Sequence, residues 1–176
     1  GPEPASWDQW GETESESVLK RYRTALEAYL EGRSIPDGHP AGPGRTLEER
    51  TPLSGLAIAV DCGNGMGSLG TPQVLSRLGA DVVSINGTVD GFFPGRPSKP
   101  TPETLTEFRT FVASHRADFG LAHDGDADRI VLVDGSGEVV HEDTVVAILA
   151  EYYVRTADVA DPVVVTTPNA SGRIDQ

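Results

Sequence analysis

The chain has 176 residues, 27 acidic side chains against 14 basic ones and a formal charge of −13, so it has room for one medium α/β domain with appendages but lacks the positive surface that nucleic acid or an anionic membrane demands. No run of 18 apolar residues and no basic, apolar, small-residue progression at the N-terminus occurs, which leaves no signal for a membrane span or a secretory leader. Cys62 is the single cysteine; it forms no internal disulfide and suits a reducing, cytoplasmic setting.

The acidic excess, in which Lys20 and Lys99 are the only lysines, carries a sharper expectation of adaptation to concentrated salt. At molar ionic strength the Debye length falls to ~3 Å and acidic self-repulsion no longer penalises the compact state. An ordinary acidic protein is the plain alternative.

Residues 1–11 read as irregular. A helix is predicted over about 13–31, with the Thr13 hydroxyl as cap and Glu16 reaching back three residues later. Val18, Leu19, Tyr22, Leu26, Tyr29 and Leu30 share one face of it, and Gly32 ends it. Residues 33–52 are rich in Pro and Gly and read as an exposed loop in which His39 is solvated. Leu56 to Val60 is a strand apolar enough to be covered on both faces. A glycine-rich turn, Asp61 to Ser68, leads to a helix from Thr71 to Leu78, stopped by Gly79, and a strand from Asp81 to Ile85.

After a loop from Asn86 to Pro100, the helix Pro102 to Ser114 opens with Thr101 as cap. Asp118 to Ala122 is a third strand, and Ile130 to Asp134 pairs with Glu138 to His141 around Gly135-Ser136-Gly137. A helix from Asp143 to Val154, with Glu142 and Asp143 suited to its positive end, precedes a last short strand, Val163 to Thr166. Strands alternating with helices predict an α/β fold, a mixed and mostly parallel sheet of about four strands between helical layers.

The densest chemistry lies in Ala122 to Val133, A-H-D-G-D-A-D-R-I-V-L-V. Asp124, Asp126 and Asp128 alternate with Gly125 and Ala127 and are followed by Arg129. Two carboxylates ~4 Å apart repel by about 4 kcal/mol at an effective dielectric of ~20, so such a turn invites a positive charge. An all-oxygen set between small spacers suits a hard divalent cation, Mg²⁺ or Ca²⁺, with Mg²⁺ favoured where phosphate is a further ligand. A calcium loop of the EF-hand type needs Gly at its sixth position and Glu at its twelfth; Arg129 and Gly135 stand there, and that reading fails. The bland alternative is a solvated acidic loop, but apolar runs lead straight into it and straight out, so the carboxylates are pinned.

D-G-D-A-D-R resembles the metal-binding loop of the α-D-phosphohexomutases, the phosphoglucomutase and phosphomannomutase family that includes phosphoglucosamine mutase. V-D-C-G-N-G-M-G-S (Val60 to Ser68), D-G-F-F-P (Asp90 to Pro94) and P-T-P-E-T-L (Pro100 to Leu105) follow the order and spacing of that family's second domain. The resemblance implies a three-layer α/β/α sandwich with one antiparallel strand. It also implies a division into residues 1–52 as a linker from a first domain, 53–156 as domain II, and 157–176 as the opening of domain III.

By the same resemblance, the complete enzymes move a phosphoryl group between the 6- and 1-hydroxyls of a glucose, mannose or glucosamine phosphate, through a phosphoserine on domain I and a bisphosphorylated sugar. Asp124, Asp126 and Asp128 would hold Mg²⁺, with Arg129 near the same phosphate or, without one, pairing the aspartates. Domains I, III and IV would be partners within one polypeptide. The family's nucleophile lies in a T-A-S-H-N-P loop; Ala113-Ser114-His115 is followed by Arg116-Ala117 and closes a helix, where the dipole disfavours phosphate. No catalytic residue is therefore expected in this chain, and Ser114 is rejected. Lys99 stands where an acidic residue is usual in the family. His123 should point away from Asp124 in a core or interface role.

A competing reading comes from Gly65-Met-Gly67-Ser-Leu-Gly70, a literal G-x-G-x-x-G between a strand and a helix, the context of dinucleotide binding. Against it, the end of the second strand carries Asn86-Gly87 in place of the acid that holds a ribose diol, and Pro72 follows directly. The preferred reading makes this turn a scaffold bordering the aspartate crevice, with Asn64 and Ser68 as donors to an anion.

Overall fold

The computed structural model describes residues 18–30, 51–156 and 160–165. The chain divides into two units, residues 1–44 and 45–176. Of the first, helix α1 (Val18–Leu30) is described, with Val18 and Tyr22 exposed. The Thr13 cap, the loop over 33–50 with His39, and residues 166–176 lie outside the described residues.

The second unit is built on a five-stranded sheet in the order β2-β1-β3-β4-β5. Strand β1 (Ala57–Asp61) lies parallel to β2 (Asp81–Ile85) on one side and to β3 (Phe119–His123) on the other. Strand β4 (Ile130–Asp134) runs antiparallel to β3, and the two-residue β5 (Val139–Val140) antiparallel to β4. The sheet is thus mixed and mostly parallel, with five strands where about four were expected. The outermost is the return arm of the hairpin, expected over Glu138 to His141 and found as Val139–Val140.

That turn is held by one carboxylate. Asp134 Oδ1 accepts from the Ser136 hydroxyl (2.6 Å) and from the backbone N–H groups of Ser136 and Glu138 (2.9 Å each). The Ser136 hydroxyl first, then the backbone donors, hold the Asp134 carboxyl below its ordinary range.

Alternation along β1 separates two cores. Ile58, Val60 and Cys62 pack with Ala80 and Leu121, against Leu75 of helix α2 (Thr71–Arg77). Ala59 and Ala122 face the other way, onto Leu105 and onto Phe108 and Val112 of helix α3 (Thr106–Ser114). Helices therefore cover both faces of the parallel strands, as the α/β/α expectation requires.

Three departures from expectation exceed two residues. Helix α3 begins at Thr106, because Pro102 to Leu105 form a separate turn, which Thr101 does cap by accepting from Thr104 N–H (3.3 Å). The glycine turn contains a 3-10 helix, Met66–Leu69, ahead of α2. Val163 to Val165 are not in a strand; no partner strand pairs with them among the described residues. Helix α4 (Glu142–Thr156) carries Glu142 and Asp143 in its first turn, as the sequence predicts, and has no buried side chain among its residues. No described helix is long and apolar enough to cross a membrane.

Candidate metal centre

In the parallel pair β1 and β3, Asp61 stands opposite Ala122, so the turn after β1 and the loop after β3 leave the same edge of the sheet side by side. This is the carboxyl edge, where ligands bind in open α/β sheets. The two segments are joined there: Met66 N–H donates to the Gly125 carbonyl (2.9 Å). A Cβ on Gly65 would collide with that carbonyl, so the approach requires glycine. The expected scaffold role of the glycine turn, beside the aspartates, is what the geometry places there.

Asp124, Asp126 and Asp128 each offer a carboxylate oxygen, and these oxygens lie within 4.8 Å of one another. Asp124 is buried; Asp126 and Asp128 are exposed. Ala127 closes the turn in a left-handed conformation (φ 60°) with its N–H on Asp124 O (3.2 Å). Arg129 caps the cluster: Nε lies 3.1 Å from Asp124 Oδ2 and 3.5 Å from Asp128 Oδ1, and its backbone N–H donates to Asp124 Oδ1 (3.2 Å).

The carboxylates respond to one another. A hydrogen bond shared with Asp124, reinforced by the charges of Asp124 and Asp126, pushes the Asp128 carboxyl above its ordinary range. Burial pushes Asp124 upward too, but the Arg129 backbone N–H, the hydrogen bond from Asp128 and the Arg129 guanidinium outweigh it and hold Asp124 low. The turn gathers more negative charge than it neutralises by itself. The donor set fits a hard divalent ion, oxygen only and converging on one point.

A family model described as phosphoglucomutase/phosphomannomutase, alpha/beta/alpha domain II, matches residues 45–137. The chain belongs to this family. It is 36% identical over 151 residues to the phosphoglucomutase/phosphomannomutase of Thermococcus kodakarensis, covering 86% of this chain and 30% of that protein. It is 40% identical over 136 residues to the phosphoglucosamine mutase of Saccharopolyspora erythraea, covering 77% and 30%. A phosphoglucomutase/phosphomannomutase family protein from Burkholderia thailandensis shares the fold with a TM-score of 0.54 and 30% identity, over 57% of this chain and 22% of that one. The chain thus spans about 30% of the length of these curated mutases.

The domain II fold brings together all four residues singled out in the aspartate loop. It does not free Asn64 and Ser68 for an anion. Asn64 Nδ2 donates to Thr88 O (2.9 Å) and its Oδ1 accepts from Gly95 N–H (3.0 Å), while the Ser68 hydroxyl donates to Gly65 O. Asn64 is tied to the loop after β2 and Ser68 to its own turn. Dinucleotide binding loses its footing for the same reason. The face of the glycine turn is closed by Gly125, and Asn86, at the end of β2, uses its side chain on Asp61. Ser114 donates its hydroxyl to Phe111 O (3.1 Å) at the end of α3.

Two residues that sequence reasoning passed over stand behind the loop. Arg96 and Asp61 form an ion pair with side chains 5% and 0% exposed. The available signal was an acid closing a fully apolar strand and an arginine inside the Pro- and Gly-rich loop P-G-R-P.

Cys62, next to Asp61, is itself part of the core with Ile58 and Val60. Burial first, and then the Asp61 charge, push its thiol up to about 11, against a smaller opposing effect of Arg96. Below that value it stays protonated, so at pH 8 the folded chain should resist a disulfide reagent such as DTNB for hours and react within minutes once denatured. Rapid labelling of the native chain would contradict this burial.

Proposed function

We propose that this domain supplies the metal loop of a hexose-phosphate mutase, acting on a 6- or 1-phosphorylated glucose, mannose or glucosamine. In this reading Asp124, Asp126 and Asp128 hold Mg²⁺ against a phosphoserine carried by another part of the polypeptide. The carrying observation is the convergence of three carboxylate oxygens within 4.8 Å at the carboxyl edge of the sheet. When bound, the ion supplies Lewis-acid neutralisation of phosphate oxygens.

The chain's own residues do the rest. Asp124, buried and hydrogen-bonded, stays ionised and anchors the cluster. Asp126 and Asp128 present their charge outward, where a phosphorylated partner must come. Arg129, 62% exposed at its side chain, can leave its pairing with the aspartates and offer its fork of donors to the phosphate. No nucleophile belongs to the domain. The division into a linker over 1–52, domain II over 53–156 and the opening of domain III over 157–176 is part of the same proposal.

Three carboxylates without the phosphate leave the ion under-held, so this chain alone should bind Mn²⁺ or Mg²⁺ weakly, with Kd near millimolar (about −4 kcal/mol), and show no mutase turnover. Titration followed by Mn²⁺ paramagnetic resonance, and a coupled assay with each hexose 6-phosphate, check both. Turnover by the chain alone would overturn the assignment. The charge of −13 supports a working environment of concentrated salt, and the single cysteine a reducing cytoplasm. Unfolding midpoints should then rise steadily with KCl, and a flat profile from dilute buffer to molar salt would remove that part.

A further inference from the structure

We infer that Arg96 is a positioning residue for the metal loop, acting through the backbone on which the three aspartates are strung. The inference rests on the metal reading above and asks what holds the ligands in place. Asp126 and Asp128 are exposed, so their positions follow from the turn that carries them. That turn is gripped at three points.

At its entry, Arg96 Nη2 donates to the carbonyl of His123 (2.6 Å), the residue directly before Asp124. The guanidinium is itself fixed. Nε pairs with Asp61, and Nη1 donates to the carbonyls of Pro97 (3.0 Å) and Ser98 (3.3 Å). Asp61 is fixed in turn, since its Oδ1 accepts from Gly63 N–H (2.8 Å) and Asn86 Nδ2 (2.9 Å). At mid-loop, Met66 N–H holds Gly125 O. At the exit, His123 Nδ1 meets the Arg129 carbonyl (3.2 Å) and Nε2 meets the Thr71 hydroxyl (2.9 Å). A carbonyl only accepts, so Nδ1 donates to it.

The chemistry of this arrangement is specific to arginine. One planar fork spans the end of β1, the 97–98 backbone and the end of β3. A lysine supplies the charge but not three directions of donation. Groups that orient metal ligands from behind typically change metal affinity by about 10–100-fold when removed.

The test uses the whole chain with Mn²⁺ as probe. Asp61→Asn with Arg96→Gln removes the buried charges together and keeps the Asn acceptor for Gly63. Mn²⁺ affinity should fall about tenfold, whereas Val112→Ala, a core change in α3 away from the loop, should lower the melting temperature and leave Mn²⁺ affinity unchanged. Arg96→Lys, read the same way, should fall with the double variant and decides the matter if the double variant does not fold. Asp126→Asn separates the two ideas. If it leaves Mn²⁺ binding intact, the metal reading fails and the positioning role with it. If it abolishes binding while the Arg96 variants bind like the parent, the metal reading stands and Arg96 is merely structural.

Discussion

On the proposed function, Asp126→Asn in the full-length protein should lower mutase turnover by about 10²–10³-fold, the loss seen when one preorganised electrostatic partner of a reacting group is removed, and leave the fold untouched. Asp126 is exposed, and the structure records no hydrogen bond or ion pair from its side chain among the described residues. Surface changes of this kind move stability by no more than about 0.5 kcal/mol. The change even relieves one of the charges that push the Asp128 carboxyl up. A coupled assay beside a thermal melt reads both quantities. Turnover within threefold of the parent would refute the role given to the three aspartates. An equal loss of activity and of melting temperature would assign Asp126 to structure instead.

The second large effect is on stability. Arg96→Met should destabilise the domain by about 3–5 kcal/mol, because it leaves the Asp61 carboxylate buried without its counter-charge. Asp61 is fully buried, and its remaining partners, Gly63 N–H and Asn86 Nδ2, are neutral donors. Against a total of roughly 5–15 kcal/mol for a domain, that loss leaves a small margin. Urea unfolding should show the midpoint falling with little change in slope. Adding Asp61→Asn to Arg96→Met should recover most of the loss, since removing both charges of a buried pair costs far less than removing one. A single variant as stable as the parent would mean that the pair is solvated in solution.

Much of this molecule was legible because much of it is local. Strand β2 was placed residue for residue, and β1 and β3 within one residue, because apolar runs bounded by Gly and Asp carry their own start and stop. The aspartate cluster needed no partner segment at all, since alternate positions in one short turn bring three carboxylates together. The hairpin was legible from Gly135-Ser136-Gly137, but β5 ended after two residues, because its pairing to β4 depends on what packs beyond it. Helix α3 started late, because whether the turn Thr101 caps runs on as helix depends on how Leu105 is buried against the sheet.

What the amino-acid order determined by itself was most of the elements, the alternating sheet and the carboxylate cluster, all consequences of periodicity and of charges a few bonds apart. Only the tertiary structure decided what stands behind that cluster. Arg96 reaches Asp61 across 35 residues and Thr71 reaches His123 across 52, and neither pairing exists until β1 lies between β2 and β3. A buried charge finds its partner through strand order and crossover direction, and no spacing along the chain records that choice.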